Sequence, residues 1–378
     1  MKLIFCDNTL WGLINFRGDV IRHLVDEGHD VVLVAPEKED KQMRTSLPQG
    51  VRYIHVGMKR TSMNPLKDLR YFRQMYKIFR RERPDFVFTY TIKPNIYASI
   101  AAKLNHCRTT ALLSGLGYIF INDSLLTRLA RSLYRFGLRF TDHLLVLNEE
   151  NRNIVKKRHM CSMQKVVMLM GGEGVNVEKF QRQKNASTET TFLYIGRILW
   201  DKGYEELSQA AALVKEQYPN VSIELLGAMD PSYPKSVPES RVKADEAQGI
   251  LKYIGFTRQM LDVYKRQGIV VVMPSYGEGM NRTLMEACAT GKPIITTDIP
   301  GCRESVDDGV NGYIVPPRNA KALADAMMKY LSLSEENKEK MCKASREKAE
   351  RVFDIKRVIK VYDSILDGTI SQNTDIER

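Results

Sequence analysis

The chain has no run approaching the roughly 18–20 uninterrupted apolar residues of a membrane-spanning helix, which argues against an integral membrane protein. Its first apolar segment reaches Asp7 within a few residues. No basic head, long apolar stretch and small-residue cleavage site follow, so the expected location is the cytosol. The six cysteines (Cys6, Cys107, Cys161, Cys288, Cys302, Cys342) lie far apart without a C-x-x-C pair, which leaves a disulfide framework or a zinc site little support. The six histidines are equally scattered, with no H-E-x-x-H. A G-x-G-x-x-G fingerprint is missing, which lowers a dehydrogenase reading. The triphosphatase phosphate loop is missing too: Gly291-Lys292 runs into Pro293, and Glu286 stands where the first glycine belongs. Without a D-x-D pair to hold a metal-bound nucleotide diphosphate, any bound diphosphate must be neutralised by fixed cations and backbone N–H groups.

What is present is ample apolar material. With 43% hydrophobic, 27% charged and 8% aromatic residues, the 378-residue chain is neither disordered nor fibrous. At roughly 100–200 residues per domain, two domains are expected. The net charge of +12 is unevenly placed. Residues 1–180 hold 29 Lys and Arg against 17 Asp and Glu, whereas residues 181–378 hold 28 of each.

Two segments concentrate the excess. In 66–83 (LKDLRYFRQMYKIFRRER), Leu66, Leu69, Phe72, Met75, Tyr76 and Phe79 recur at helical spacing, and Lys77, Arg80 and Arg81 belong to a largely basic remainder. In 124–140 (SLLTRLARSLYRFGLRF), Arg128, Arg131, Arg135 and Arg139 form one stripe beside leucines and aromatics, without an acidic residue. Both read as basic amphipathic helices. An anionic membrane surface, where each nearby Lys or Arg is worth about 1 kcal/mol, fits two such helices in one half better than a plain solvated face does. Nucleic acid is disfavoured, since no binding motif or aromatic-interleaved basic run accompanies them.

Strands and helices alternate along both halves. Strands are expected at 3–6, 30–35, 85–90, 110–113, 143–147 and 165–169, with helices at 16–27 and 96–104 and the two basic helices between them. The polar stretch 181–190 reads as a linker. A second series follows: strands at 191–195, 222–226, 251–254, 269–273, 293–297 and 312–315, and helices at 204–217, 282–290, 319–331, 335–351 and 355–366. Residues 229–248, rich in proline, serine and charge, read as an irregular surface excursion. The pattern predicts α/β architecture, two doubly wound Rossmann-like domains in series: 1–180, 181–354, and a terminal segment 355–378. Ligands of such sheets bind outside the carboxyl ends of the strands, so a cleft between the two domains is the expected site.

Chemistry-bearing residues gather in the second half. Gly196-Arg197 and Lys202-Gly203 follow the strand at 191–195, where cations flanking a turn suit a diphosphate. The strand at 269–273 runs into SYGEGMNRTLME, with Glu278 and Glu286 eight residues apart across a turn and the start of a helix. Backbone N–H groups there can hold phosphate, while carboxylates accept from sugar hydroxyls.

The E-x7-E spacing, the upstream GR…K and the segment GKPIITTDIPGCRESVDDGVNGYIVPP resemble retaining glycosyltransferases of family 4, which have the GT-B fold. The resemblance is strongest over 191–331. It extends more faintly through the opening strand and helix, SGLG at 114–117 and GGEGVNVEKF at 171–180, and it leans toward enzymes that extend lipid-linked glycans of bacterial surface polysaccharides. It implies transfer of a hexose or N-acetylhexosamine from a nucleotide diphosphate sugar, UDP-linked by family weight, to a lipid-linked glycan at the cytoplasmic face of the inner membrane. Anomeric configuration would be retained through front-face attack, with the departing phosphate taking the acceptor proton, so no side chain is named as nucleophile. Arg197 and Lys202 would hold the diphosphate and stabilise the leaving group, and Glu286 the ribose. Glu278 with the backbone of Gly279, Met280 and Asn281 would contact the donor sugar. Gly196 would border the phosphates, and Gly12, in the loop after the first strand, would let the backbone approach them. The first domain and its basic helices would receive the acceptor, and the last helix would cross back onto that domain. Neither a metal nor a cofactor is implied, the nucleotide sugar being a substrate.

Several positions depart from the family pattern. Gly12 stands alone where a Gly-Gly pair is common, Asn281 replaces a frequent proline, and Asn176 replaces an aspartate. Gly268 opens a strand where an acidic residue is usual, and an acceptor-side histidine has no counterpart near 114–117. A nucleotide-sugar epimerase of the same fold and a non-catalytic membrane-surface scaffold are the alternatives.

Overall fold

The computed structural model describes the chain except residues 39–46, 60–63, 115–123, 184–188 and 371–378, and only the backbone of Leu125 and Leu126. Most of SGLG at 114–117 and half of the 181–190 segment therefore lie outside the described residues. The chain forms two compact units: Met1–Glu173 with Ile355–Arg378, and Gly174–Asp354.

The first unit is a parallel sheet in the order β3-β2-β1-β4-β5-β6-β7, formed by β1 (Lys2–Cys6), β2 (Asp30–Ala35), β3 (Arg52–His55), β4 (Phe86–Tyr90), β5 (Arg108–Leu113), β6 (His143–Val146) and β7 (Val166–Met168). Between them run α1 (Leu10–Asp26), α2 (Pro65–Glu82), a π-helical turn Pro94–Ala98 leading into α3 (Ser99–Leu104), α4 (Leu125–Leu138) and α5 (Glu149–Lys157). The two-residue alternation of the strands divides the core. Ile4, Cys6, Val32, Val34 and Val87 meet Tyr71, Met75 and Phe79 of α2 and Ala101 of α3. Ala111, Leu113, Leu144 and Val146 meet Ile96 and Tyr134 and Leu138 of α4. The parallel register of β4 and β5 sets Val87 opposite Thr109 and Thr89 opposite Ala111, so α2, α3 and α4 cover one face of the sheet.

On the opposite face Phe5 stacks on Phe88 (centroids 4.8 Å apart), and Phe88 lies 5.0 Å from Tyr362 of the terminal helix α12 (Ile355–Asp367). The Tyr362 and Tyr90 hydroxyls are 2.8 Å apart in the core. Arg108 donates to the Ile365 and Leu366 carbonyls at the end of α12, at 2.9 and 3.2 Å. Arg17, buried on α1, stacks 4.3 Å over the Tyr90 ring and reaches Glu173 (2.6 Å), the last residue before the second unit.

The second unit is a parallel sheet in the order β10-β9-β8-β11-β12-β13: β8 (Thr191–Ile195), β9 (Ser222–Leu226), β10 (Lys252–Tyr253), β11 (Ile269–Met273), β12 (Ile294–Thr297) and β13 (Gly312–Val315). Its helices are α6 (Tyr204–Gln217), α7 (Glu239–Ala247), α8 (Met260–Lys265), α9 (Arg282–Ala289), α10 (Ala320–Leu331) and α11 (Glu335–Lys348). The central strands are apolar on both faces, as a sheet covered on two sides requires.

The structure changes several expectations. The boundary falls before Gly174 rather than after residue 180: the Val175 N–H donates to the Phe353 carbonyl (2.7 Å), and Val175, Val177 and Phe180 join the second core. Helix α1 begins at Leu10 rather than at 16, because the Thr9 side chain caps it by accepting from the Gly12 N–H. The 229–248 excursion is irregular only as far as Pro238, beyond which α7 is helical. Strand β3 and helices α5 and α8 are additions. The inward stripe of α2 is Tyr71, Met75, Ile78 and Phe79, whereas Leu66 and Leu69 are exposed on its first turns.

The aromatic wedge makes α12 an energetic part of the first unit. Truncation of a buried aromatic costs ~3–5 kcal/mol, so Tyr362→Ala should lower the urea midpoint markedly. Tyr362→Phe, which leaves the Tyr90 hydroxyl unpaired, should cost ~1–3 kcal/mol. Equal midpoints for the two variants would contradict the wedge.

Candidate active site

In the second sheet β8 and β11 are neighbours, while the chain leaves β8 toward β9 and leaves β11 toward β12. Their carboxyl ends are the topological switch point, the place where sheets of this kind bind ligands. Two loops leave these ends, residues 196–203 after β8 and 274–281 after β11.

The loops are bound to each other. The Tyr276 N–H donates to the Asp201 carbonyl (3.0 Å). Gly203, at φ +80°, packs so tightly on Pro274 that a Cβ would lie 2.0 Å from the Pro274 carbonyl oxygen, which admits glycine alone. The Lys202 Nζ donates to a Glu278 carboxylate oxygen (2.6 Å) and to the Gly277 carbonyl (3.3 Å). Both ends of this ion pair are largely sheltered, with side-chain exposures of 19% and 16%. An ammonium has three donors, and among the described residues two of those of Lys202 are taken.

Arg197 is exposed immediately after Gly196, and the buried Tyr194 hydroxyl donates to its carbonyl (2.7 Å). Among the described residues no carboxylate pairs with its guanidinium, which lies 4.8 Å from the Tyr233 ring centroid. Gly279, Met280 and Asn281 lead into α9. Asn281 caps that helix, its side-chain oxygen accepting from Leu284 (3.2 Å) while its own N–H donates to the Gly301 carbonyl (2.9 Å). A proline would supply neither bond, so asparagine here makes a different closure of the same turn. Asn176 likewise accepts from the Lys179 N–H (2.8 Å), a turn that an aspartate closes equally well.

Glu286, the expected ribose ligand, lies in the helix that follows the second loop. It is buried on α9, one turn beyond Arg282, whose Nε donates to it at 2.9 Å. Burial pushes its carboxyl above the ordinary range, against the pull of the Arg282 guanidinium. Lys202 and Glu278 are thus joined directly, with Gly196, Arg197, Gly279, Met280 and Asn281 on the two loops around them, while Glu286 has its own cation.

Gly12 differs most from expectation. It lies in the first turn of α1, in the first unit, and not in a loop. A Cβ there would stand 2.9 Å from the Thr9 hydroxyl and 3.1 Å from the Asp7 carboxylate, so the glycine is explained by the packing of its own helix start. The basic candidates are also in the first unit. Lys77, Arg80 and Arg81 are exposed on α2, Arg81 beside Glu82 (3.0 Å). Arg128 and Arg135 are exposed on α4, Arg131 half-exposed, and Arg139 is exposed at its C-cap. Beside them Leu129, Leu133 and Phe136 form an outward apolar strip. Among the described residues no cluster of His, Cys, Asp and Glu has metal-ligating geometry, and no helix is long and apolar enough to cross a membrane. Tyr233 and Tyr276 were missed by sequence reasoning; an aromatic in a polar loop carries no periodicity to flag it.

The raised Glu286 carboxyl has a pH signature. Between the ordinary carboxylate range and its raised value, the folded chain holds a proton that the unfolded chain has released. Stability from this group therefore falls as pH rises through that window. Glu286→Gln should gain stability relative to wild type as pH rises above the ordinary carboxylate range in urea unfolding. A relative loss over that interval would show that Arg282 outweighs burial.

Two family models match nearly the whole chain in tandem: a glycosyl transferase 4-like domain over residues 12–169 and glycosyl transferases group 1 over residues 176–349. Over 97% of its length the chain is 25% identical to N,N'-diacetylbacillosaminyl-diphospho-undecaprenol alpha-1,3-N-acetylgalactosaminyltransferase of Campylobacter jejuni, covering 99% of that enzyme. It is 23% identical to the UDP-Gal:alpha-D-GlcNAc-diphosphoundecaprenol alpha-1,3-galactosyltransferase of Escherichia coli, at 92% of each chain. Among solved structures, Anabaena HepE in complex with UDP superposes with a TM-score of 0.79 at 16% identity, covering 97% of this chain and 100% of that one. A glycosyltransferase from Rickettsia africae superposes at 0.78 with 19% identity, over 97% and 98%. Two tandem parallel-sheet units, a switch-point site and matches along both halves lead to one assignment: the chain belongs to the family 4 glycosyltransferases of GT-B fold.

Proposed function

We propose that the enzyme transfers a hexosyl or N-acetylhexosaminyl group from a UDP-linked sugar to a lipid-linked glycan during surface-polysaccharide synthesis, with retention of configuration. The observation that carries this reading is the Lys202–Glu278 pair at the switch point of the second sheet. It sets a cation with a spare donor beside a carboxylate able to accept from sugar hydroxyls. Arg197, earlier in the same loop and without a carboxylate partner among the described residues, supplies the second positive charge. The two cations neutralise charge developing on the departing diphosphate, which is electrostatic stabilisation of the leaving group. Gly196 borders the phosphates, and Gly279, Met280 and Asn281 offer backbone groups to the donor sugar at the start of α9. Glu286, held ready by Arg282, accepts from the ribose. The leaving phosphate takes the acceptor proton, so no side-chain nucleophile is required. The diphosphoundecaprenol substrates in the names of the Campylobacter and Escherichia relatives support a lipid-linked acceptor, and the UDP complex of HepE supports the base.

The acceptor would be met at the cytoplasmic face of the inner membrane, where the first unit rests on anionic lipid. Helices α2 and α4 lie on one face of their sheet, so Lys77, Arg80 and Arg81 on the one and Arg128, Arg131, Arg135 and Arg139 on the other contribute to the same side of the unit. Leu129, Leu133 and Phe136 add an apolar strip that suits the headgroup boundary.

Two measurements test the reading. In thermal-shift titration with UDP, GDP, ADP and dTDP, one diphosphate at about a hundred times its Kd should stabilise the protein by ~2.7 kcal/mol. Arg197→Ala/Lys202→Ala should abolish that shift; no stabilisation by any of the four would remove the donor site and favour the scaffold alternative. In sedimentation with phosphatidylglycerol vesicles, Lys77→Glu/Arg80→Glu/Arg135→Glu should weaken binding by more than tenfold, since each near-surface cation contributes about 1 kcal/mol. Unchanged sedimentation would detach the membrane role from these helices.

A further inference from the structure

Arg197 is braced by a segment to which the donor-site reading gives no role. Residues 229–238, between β9 and α7, lie antiparallel to the loop after β8: Leu199 bridges Ser236. The Trp200 N–H donates to the Lys235 carbonyl (2.9 Å), and the Val237 N–H to the Ile198 carbonyl (3.2 Å). Lys235 also pairs with Asp201 at 3.2 Å. The bend of this strap is closed by Asp230, whose carboxylate accepts from the Ser232 N–H (3.1 Å) and hydroxyl (2.6 Å) and whose carbonyl accepts from the Tyr233 N–H (3.0 Å). Pro231 and Pro234 on either side fix two of the backbone angles. The result is a stiff turn that presents one aromatic ring, Tyr233, to the Arg197 guanidinium at 4.8 Å.

We infer that Tyr233 is a positioning residue for Arg197, holding the guanidinium for the diphosphate of the donor. The inference rests on the proposed donor site. A ring stacked on one face of a guanidinium leaves its N–H donors free at the edge, where phosphate oxygens bind. An exposed arginine without such a ring must give up its rotamer freedom when the ligand arrives; here the strap has ordered it beforehand.

The test is a double-mutant cycle on the full chain, read by calorimetric titration with UDP, GDP, ADP and dTDP. Tyr233→Leu, which keeps bulk without an aromatic face, should weaken the tightest-binding diphosphate about fivefold, the factor that corresponds to a cation–π contact of about 1 kcal/mol. Tyr233→Phe should stay within about twofold of wild type, because the ring remains. In an Arg197→Ala background, Tyr233→Leu should have no further effect. A loss of the same size in that background would mean that Tyr233 acts independently of Arg197, and wild-type affinity in Tyr233→Leu would also overturn the inference. Unchanged affinity in Arg197→Ala alone would instead defeat the donor reading, and so would a wild type that binds none of the four. Unliganded melting of each variant, expected to match wild type because Tyr233 is 36% exposed, separates these outcomes from misfolding.

Discussion

The ion pair between Lys202 and Glu278 is the constraint around which the carboxyl edge of the second unit's sheet is arranged. A switch point parts the loops of adjacent strands, and a parted pair of loops has no backbone ladder to hold its geometry. Here the gap is spanned by that charge pair, the Lys202 hydrogen bond to the Gly277 carbonyl, the backbone hydrogen bond from Tyr276 to Asp201, and the contact of Gly203 with Pro274. The charge pair also sets the electrostatics, since Glu278 balances Lys202 and leaves Arg197 as the neighbouring cation without an acidic partner among the described residues.

A different device anchors the first unit. Arg17 is buried where an isolated cation would be expensive, and it is tolerated because Glu173, Asp7 and the Gly12 carbonyl surround it and the Tyr90 ring lies beneath it. One guanidinium thus connects the end of β1, the first turn of α1 and the residue at which the chain leaves the unit. The terminal helix α12 packs on the same face through Tyr362. The sheet's other face carries both basic helices, so the cations of α2 and α4 lie on the same side of the unit.

How far the chain could be read without coordinates depended on how each segment is buried. Strands β8, β9, β11 and β13 and helix α6 match the sequence pattern to the residue, because their apolar runs and periodicities are unbroken. Strand β3 escaped notice because an edge strand that is only half-buried, RYIH, has no apolar run. Helix α7 escaped notice because its inward positions are Val242 and Asp245. That aspartate is made tolerable by Arg241 one turn earlier and by the Tyr204 and Ser208 hydroxyls, and the last two are partners that no local window contains. The early start of α1 turned on a single threonine cap.

Sequence alone determined the class: two alternating α/β series, a net positive charge that falls entirely in the first half, and the spacing of Arg197, Lys202, Glu278 and Glu286 that marks the family. Those features are local or compositional, and they survive without knowledge of what packs on what. Tertiary structure alone decided the pairings of Lys202 with Glu278 and of Arg197 with Tyr233, whereas Glu286 meets Arg282 one helical turn away and Gly12 meets the cap of its own helix. The physical reason is that charge neutralisation and close approach depend on distance in space. In Lys202 and Glu278 that distance is closed across 76 residues of chain, over which no periodicity carries the information.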